Sequence, residues 1–122
     1  MADLPSASID TMLDALLVAG TTYYLSLHTA DPGTTGANEL AGGSYARQAI
    51  TFAAASGGSK ASNDAQAFTG MPAVSGDLWI GIWSAATAGT FLLGDPSAAV
   101  TGPVAAGASV DFASGAVTAT LA

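Results

Sequence analysis

From Gly20 to its end the chain is cut into short apolar runs by turns rich in Gly, Pro, Ser and Asn. That spacing limits the fold more than any other feature. Runs of about four to eight residues with alternating polarity make half-buried strands, whereas an α/β fold needs helical stretches between its strands. Thr22 to His28 alternates, with Tyr23, Leu25 and Leu27 on one face and Tyr24, Ser26 and His28 on the other. Further strands are expected at Tyr45 to Phe52, Ala65 to Phe68, Asp77 to Trp83, Thr90 to Leu93, Ser109 to Phe112 and Ala116 to Leu121, with a Gly/Ser-rich bend at Ser56 to Ser59. The fold expected is mainly β: a single-domain antiparallel β-sandwich or jelly-roll-like barrel.

One helix precedes the strands. Ile9, Met12, Leu13, Leu16 and Leu17 fall on one stripe, which predicts a helix over about residues 9–19 packed on its domain or on a neighbouring subunit. Ser6 or Ser8 is the expected cap, Asp10 the acid of the first turn and Gly20 the stop. Asp10 and Asp14 stand off the stripe. Residues 1–8, apolar at Leu4 and stiffened by Pro5, read as an N-terminal arm that orders on a lattice. Residues 9–122 read as one β-rich domain.

Charge decides which partners are suitable. Charged residues make up only 9% of the chain, against roughly 25% in an ordinary soluble domain. A surface so poor in charge is expected to lie against other protein, which predicts a subunit of an assembly. Nine acids against two cations, Lys60 and Arg47, give a net charge of −7. Nucleic acid and anionic membrane are therefore excluded as partners, since both require clustered Lys and Arg. There is no cysteine, hence no disulfide framework and no thiolate zinc site. The N-terminus carries neither the basic nor the apolar region of a signal peptide, so synthesis in the host cytoplasm without an address label is expected.

The run Tyr24 to Phe52 gathers four of the few titratable side chains: His28, Asp31, Glu39 and Arg47. A catalytic reading fails on composition, because one histidine, no Gly-x-Ser-x-Gly elbow and no phosphate-binding glycine loop are present. A metal held by His28, Asp31, Asn38 and Glu39 falls short of the ligand number that zinc or calcium takes. Carboxylate-pair hydrolysis has only Asp77 near Trp79 to recommend it. The expectation is no enzyme activity, no catalytic residue, no cofactor and no metal. His28 is expected to close a strand by bonding a loop carbonyl or Asp31. Arg47 is expected to meet Asp31, Glu39 or a neighbouring subunit, locking the loop or anchoring an interface. Trp79 and Trp83 share a strand face, suited to core or interface packing, or to stacking a sugar.

Three segments carry a resemblance: LHTADPG after a strand, NELAGGSYARQ entering the next, and VAAGASVDFASGAVTATL near the end. With GDLWIGIWSAATAGTFLLGD between them, the chain from about Leu13 onward resembles a family of small virion proteins of tailed bacteriophages, labelled tail-fibre-like or head-decoration proteins. The resemblance implies a β-rich virion structural protein without activity or cofactor. The expected function is a capsid decoration protein that binds and stabilises the major capsid protein lattice; the alternative is a tail or fibre component contacting the host surface. The expected partners are the major capsid protein or other virion proteins and further copies of the chain, as a trimer or dimer. The expected location is the outer surface of the head, or the tail.

Overall fold

The computed structural model describes residues 4–120. Residues 1–3 of the expected arm, and Leu121 at the end of the last expected strand, lie outside the described residues. One helix, α1 (Ser6–Leu16), is followed by eight strands: β1 (Tyr23–His28), β2 (Gln48–Ile50), β3 (Ser59–Ala61), β4 (Gln66–Phe68), β5 (Trp79–Trp83), β6 (Phe91–Gly94), β7 (Val110–Phe112) and β8 (Thr118–Thr120). The fold is mainly β and antiparallel, as the turn spacing predicts. The strands form a four-stranded sheet in the order β2-β1-β5-β6 and two-stranded sheets β3-β8 and β4-β7. The barrel alternative is corrected: among the described residues these sheets are open, and none closes on itself.

The chain gathers into two compact units, each assembled from separated stretches. The first takes the chain up to Thr22, Ile50–Ala65 and the chain from Phe112. Here α1 starts and stops earlier than its apolar stripe predicts. Pro5, extended at φ −64° and ψ 152°, sits at the N-cap, and its carbonyl takes the Ser8 and Ile9 N–H groups at 3.0 and 3.2 Å. Neither Ser6 nor Ser8 caps it with a side chain, both lying inside the helix, so Ser6 to Ser8 of the expected arm are helical. Leu17 turns extended and closes the helix through its N–H to the Leu13 carbonyl. Gly20 lies beyond, with φ +78°, and donates to the Phe52 carbonyl at 3.2 Å.

Only part of the stripe is buried. Leu13 and Leu17 are covered, Ile9 is half-buried, and Met12 and Leu16 are exposed. The two off-stripe acids, both half-buried, bond to neighbouring segments on the helix flank. The Asp10 carboxylate accepts the Gly58 N–H at 2.8 Å, so it serves a turn of another segment and not the first turn of its own helix. Asp14 accepts the Ala55 N–H at 2.9 Å and the Lys60 ammonium at 2.5 Å. Lys60 is 1% exposed and sits on β3, directly after the bend expected at Ser56 to Ser59. The bend is real (Ser56 and Ser59 pair across it), but it feeds a strand that pairs with β8 at Ser59–Thr120, Lys60–Ala119 and Ala61–Thr118.

The second unit takes Tyr23–Ala49 and Gln66–Asp111. Its centre is the β1-β5 ladder, in register Tyr24–Trp83, Ser26–Gly81 and His28–Trp79, with β6 against β5 and a register shift at Ile82/Trp83. β1 is covered on both faces, since Leu25, Leu27, Ser26 and His28 are all fully buried. Alternation in β1 therefore separates an apolar core face from a polar buried one. The expected strand at Tyr45 to Phe52 is shorter, at Gln48–Ile50, because Tyr45 still belongs to a turn whose N–H reaches the Gly42 carbonyl.

Candidate functional site, a buried polar lock

The loop after β1 is a hairpin. The Thr29 N–H donates to the Asn38 carbonyl at 2.9 Å, the Leu40 N–H donates to the Leu27 carbonyl at 2.8 Å, and His28 and Glu39 form an antiparallel bridge. Asp31 and Pro32 build its tip: the Asp31 carboxylate accepts the Gly33 N–H at 2.9 Å, and the Pro32 carbonyl accepts Gly36 and Ala37. Asp31 is thereby used locally, and neither His28 nor Arg47 is its partner. The hairpin instead sets Glu39 beside the strand end.

Arg47 takes Glu39 in a bidentate fork, with Nε to Oε2 at 2.9 Å and Nη2 to Oε1 at 2.8 Å. Its Nη1 donates to the carbonyls of Ala85 at 3.0 Å and Ala88 at 2.8 Å. The guanidinium carbon lies 3.8 Å from the centroid of the Trp83 ring. One side chain thus ties the hairpin, β5 and the 84–90 turn together, and lysine has no geometry to replace it. Tyr45 adds to the lock: its hydroxyl donates to Glu39 Oε2 at 2.8 Å, accepts the Leu27 N–H at 3.0 Å, and its ring stacks on Phe68.

Burial alone would raise the Glu39 carboxyl, but hydrogen bonds from Arg47 and Tyr45 outweigh it and hold the group below its ordinary value. Burial pushes the Tyr45 phenol well above its ordinary value.

Below Trp83 the lock continues into the sheet. Trp83 Nε1–H donates to Ser26 Oγ at 2.9 Å, Ser26 Oγ lies 2.7 Å from His28 Nε2, and His28 Nδ1 lies 2.7 Å from the Ala37 carbonyl. A carbonyl only accepts, so Nδ1 carries the proton; in the neutral ring Nε2 then accepts from the Ser26 hydroxyl. Burial holds His28 below its ordinary value, with the Ala37 bond and Glu39 opposing. A serine and a histidine in contact resemble a nucleophile and its base. Both are fully buried, however, so this pair cannot meet a substrate as the chain is folded.

The sequence reading named His28, Glu39 and Arg47 as candidates with their partners left open, and did not name Ser26 or Tyr45, which stand beside them in the structure. Ser26 was legible only as a same-face neighbour of His28. Trp79 and Trp83 do not act as a pair. Trp79 is half-buried and donates to the Pro96 carbonyl at 3.2 Å, whereas Trp83 lies between Arg47 and Ser26 with Phe91 edge-on at 5.2 Å. Among the described residues no three His, Asp or Glu side chains gather as a metal group would: His28 faces Ser26 and Ala37, Asp31 faces Gly33, and Glu39 faces Arg47 and Tyr45. Nor is any helix among them long and apolar enough to cross a membrane.

The family described as podophage GP4 fiber I protein gp80 matches residues 4–120. The match spans nearly the whole chain, which therefore belongs to that family. No curated protein matches the chain.

Proposed function

We propose that this member of the podophage fibre family is a non-enzymatic structural component of the phage fibre, contacting the host surface or the neighbouring fibre proteins. The supporting observation is the family match over residues 4–120, whose description names a fibre; it favours this reading over the decoration of the capsid that composition also suits. The geometry is in keeping with it. The titratable groups of the 28–47 segment are spent on internal bonds that make a rigid hairpin, and rigid elements present surfaces precisely enough for recognition. The exposed tip, residues 33–35 with Ala37 and Asn38, is what such a hairpin offers to a partner.

Gold-labelled antibody against the chain tests the reading on intact particles. Label on the fibres, with adsorption slowed by the same antibody, is the expected result. Label spread over the head would return the protein to capsid decoration and overturn the fibre assignment.

A further inference from the structure

Ser26, within β1, serves three polar partners with one hydroxyl. Its Oγ accepts the Trp83 indole N–H at 2.9 Å, lies 2.7 Å from His28 Nε2 and lies 3.2 Å from the Gly81 carbonyl. A hydroxyl donates once and accepts twice. With His28 neutral the hydroxyl hydrogen goes to Nε2, because Nδ1 carries the ring's own proton toward the Ala37 carbonyl. One lone pair of Oγ then stays unused, and the Gly81 carbonyl stands within reach as a second acceptor. Residue 81 has to be glycine for this meeting to occur, since a Cβ there would come within 2.9 Å of Nε2 and 3.0 Å of Oγ.

A proton added to the ring goes to Nε2, since Nδ1 already holds one. Nε2–H then donates to Oγ, and the hydroxyl hydrogen turns to the Gly81 carbonyl. Oγ ends with two bonds accepted, from Trp83 and His28, and one donated. The Ala37 carbonyl keeps its bond from Nδ1. The buried network thus takes up the proton without leaving one of these atoms unsatisfied, which is the condition a buried polar group must meet.

Two charged groups act on the ring. Glu39, bridged to His28 across the hairpin, favours the charged form, and Arg47 opposes it. Tyr45 and Arg47 hold that Glu39 carboxylate in place. Asp31 turns to its own Gly33. β5 and β6 bring Trp79, Gly81 and Phe91 beside His28, and none of them titrates. Burial is the cost that the charged ring still bears.

We propose that the Ser26 hydroxyl is a two-position switch that lets the buried His28 take up a proton while the hairpin stays locked. Protonation then acts inside the sheet and leaves the hairpin tip in place, so the surface offered to a partner is the same in both states. Ser26 Oγ is the acceptor that Nε2–H would lose with the hydroxyl removed, and the same proton would then open the hairpin.

The chain has one histidine, so its ring nitrogens give one unambiguous set of NMR signals. As pH is lowered from about 7.5 to 4.5, Nδ1 should stay protonated and Nε2 should gain a proton while the spectrum is still that of the folded chain. The Thr29 and Leu40 amides, which pair the hairpin, should stay protected from exchange through that step. Ser26→Ala should lower the midpoint of the ring titration by about one pH unit, or unfold at a pH where the natural chain still holds. If Ser26→Ala does not fold at neutral pH, the natural chain alone decides. A proton on Nε2 at neutral pH, or a ring that stays neutral until the chain unfolds, would overturn the proposal. So would amide protection lost in step with ring protonation, or a folded Ser26→Ala that titrates where the natural chain does.

Discussion

The guanidinium of Arg47 stacks on the indole of Trp83 while its edge grips Glu39 in a two-bond fork. One face of the cation is thus covered by a ring, and four of its N–H bonds are taken by protein oxygens. A cation so enclosed works as a clamp on the fold.

Removing the clamp leaves the Glu39 carboxylate partly buried and short of its main partner. Arg47→Ala should lower unfolding stability by about 3 kcal/mol. Arg47→Lys should recover less than half of that, because an ammonium cannot fork or stack. Urea denaturation followed by Trp fluorescence measures both, and full recovery by lysine would contradict the fork as the source.

Acid should destabilise the protein in two stages. The His28 ring is held below its ordinary value of 6.5, so the unfolded chain binds that proton more readily. Stability from this group is complete above about pH 6.5 and declines as pH falls toward the folded value. Glu39 and Asp14 are held below their ordinary values of 4.5 and 3.8; their contribution is present above those values and is lost on further acidification. Chemical denaturation from pH 7.5 to 3.5 should show both stages. A His28→Asn variant should lack the first.

Ser26 accepts from Trp83 and meets His28, with no surface exposed. Ser26→Ala strands a buried indole N–H and an imidazole nitrogen, and should cost about 1–3 kcal/mol. The Trp83 emission should shift with it. A variant as stable as the natural chain would mean that water takes the place of the hydroxyl.

Gly36 lies at φ +73°, and a Cβ there would come within 2.5 Å of Trp83 Cζ2 and 2.8 Å of Phe91 Cδ1. Gly36→Ala adds a left-handed penalty to a collision with two packed rings, and should cost more than about 2 kcal/mol. Thermal unfolding compared with Gly33→Ala, which also has positive φ but open space around it, separates the collision from the backbone term.

Lys60 is buried and its partner Asp14 is not fully covered. Lys60→Met should be tolerated, since it removes a buried charge and keeps the volume, whereas Asp14→Ala leaves the ammonium unpaired and should be the more damaging change. Their order in denaturation midpoints is the test.

Local chemistry accounts for what could be read from the chain. Alternation and turn residues determine β1, β5 and the hairpin at Asp31-Pro32-Gly33, because each depends on residues a few positions apart. That Arg47 meets a carboxylate follows from scarcity, since two cations face nine acids, but scarcity alone leaves Asp31, Glu39 and a neighbouring subunit as partners. The helix boundaries were misjudged because the apolar stripe marks a face, while Pro5 and the extended Leu17 mark the ends.

What the sequence determined by itself is the fold class and the hairpin-like loop built on Asp31-Pro32-Gly33. Tertiary structure alone decided which carboxylate Arg47 takes, that Trp83 and not Trp79 joins the lock, and that Met12 and Leu16 face outward. Those outcomes depend on atoms brought together from distant stretches: Ala85 and Ala88 at the guanidinium, Ser26 beneath the indole, Gly58 and Lys60 against the helix acids. Spacing along a chain encodes the local bonds. The long-range ones exist only once β1 has paired with β5 and β3 with β8.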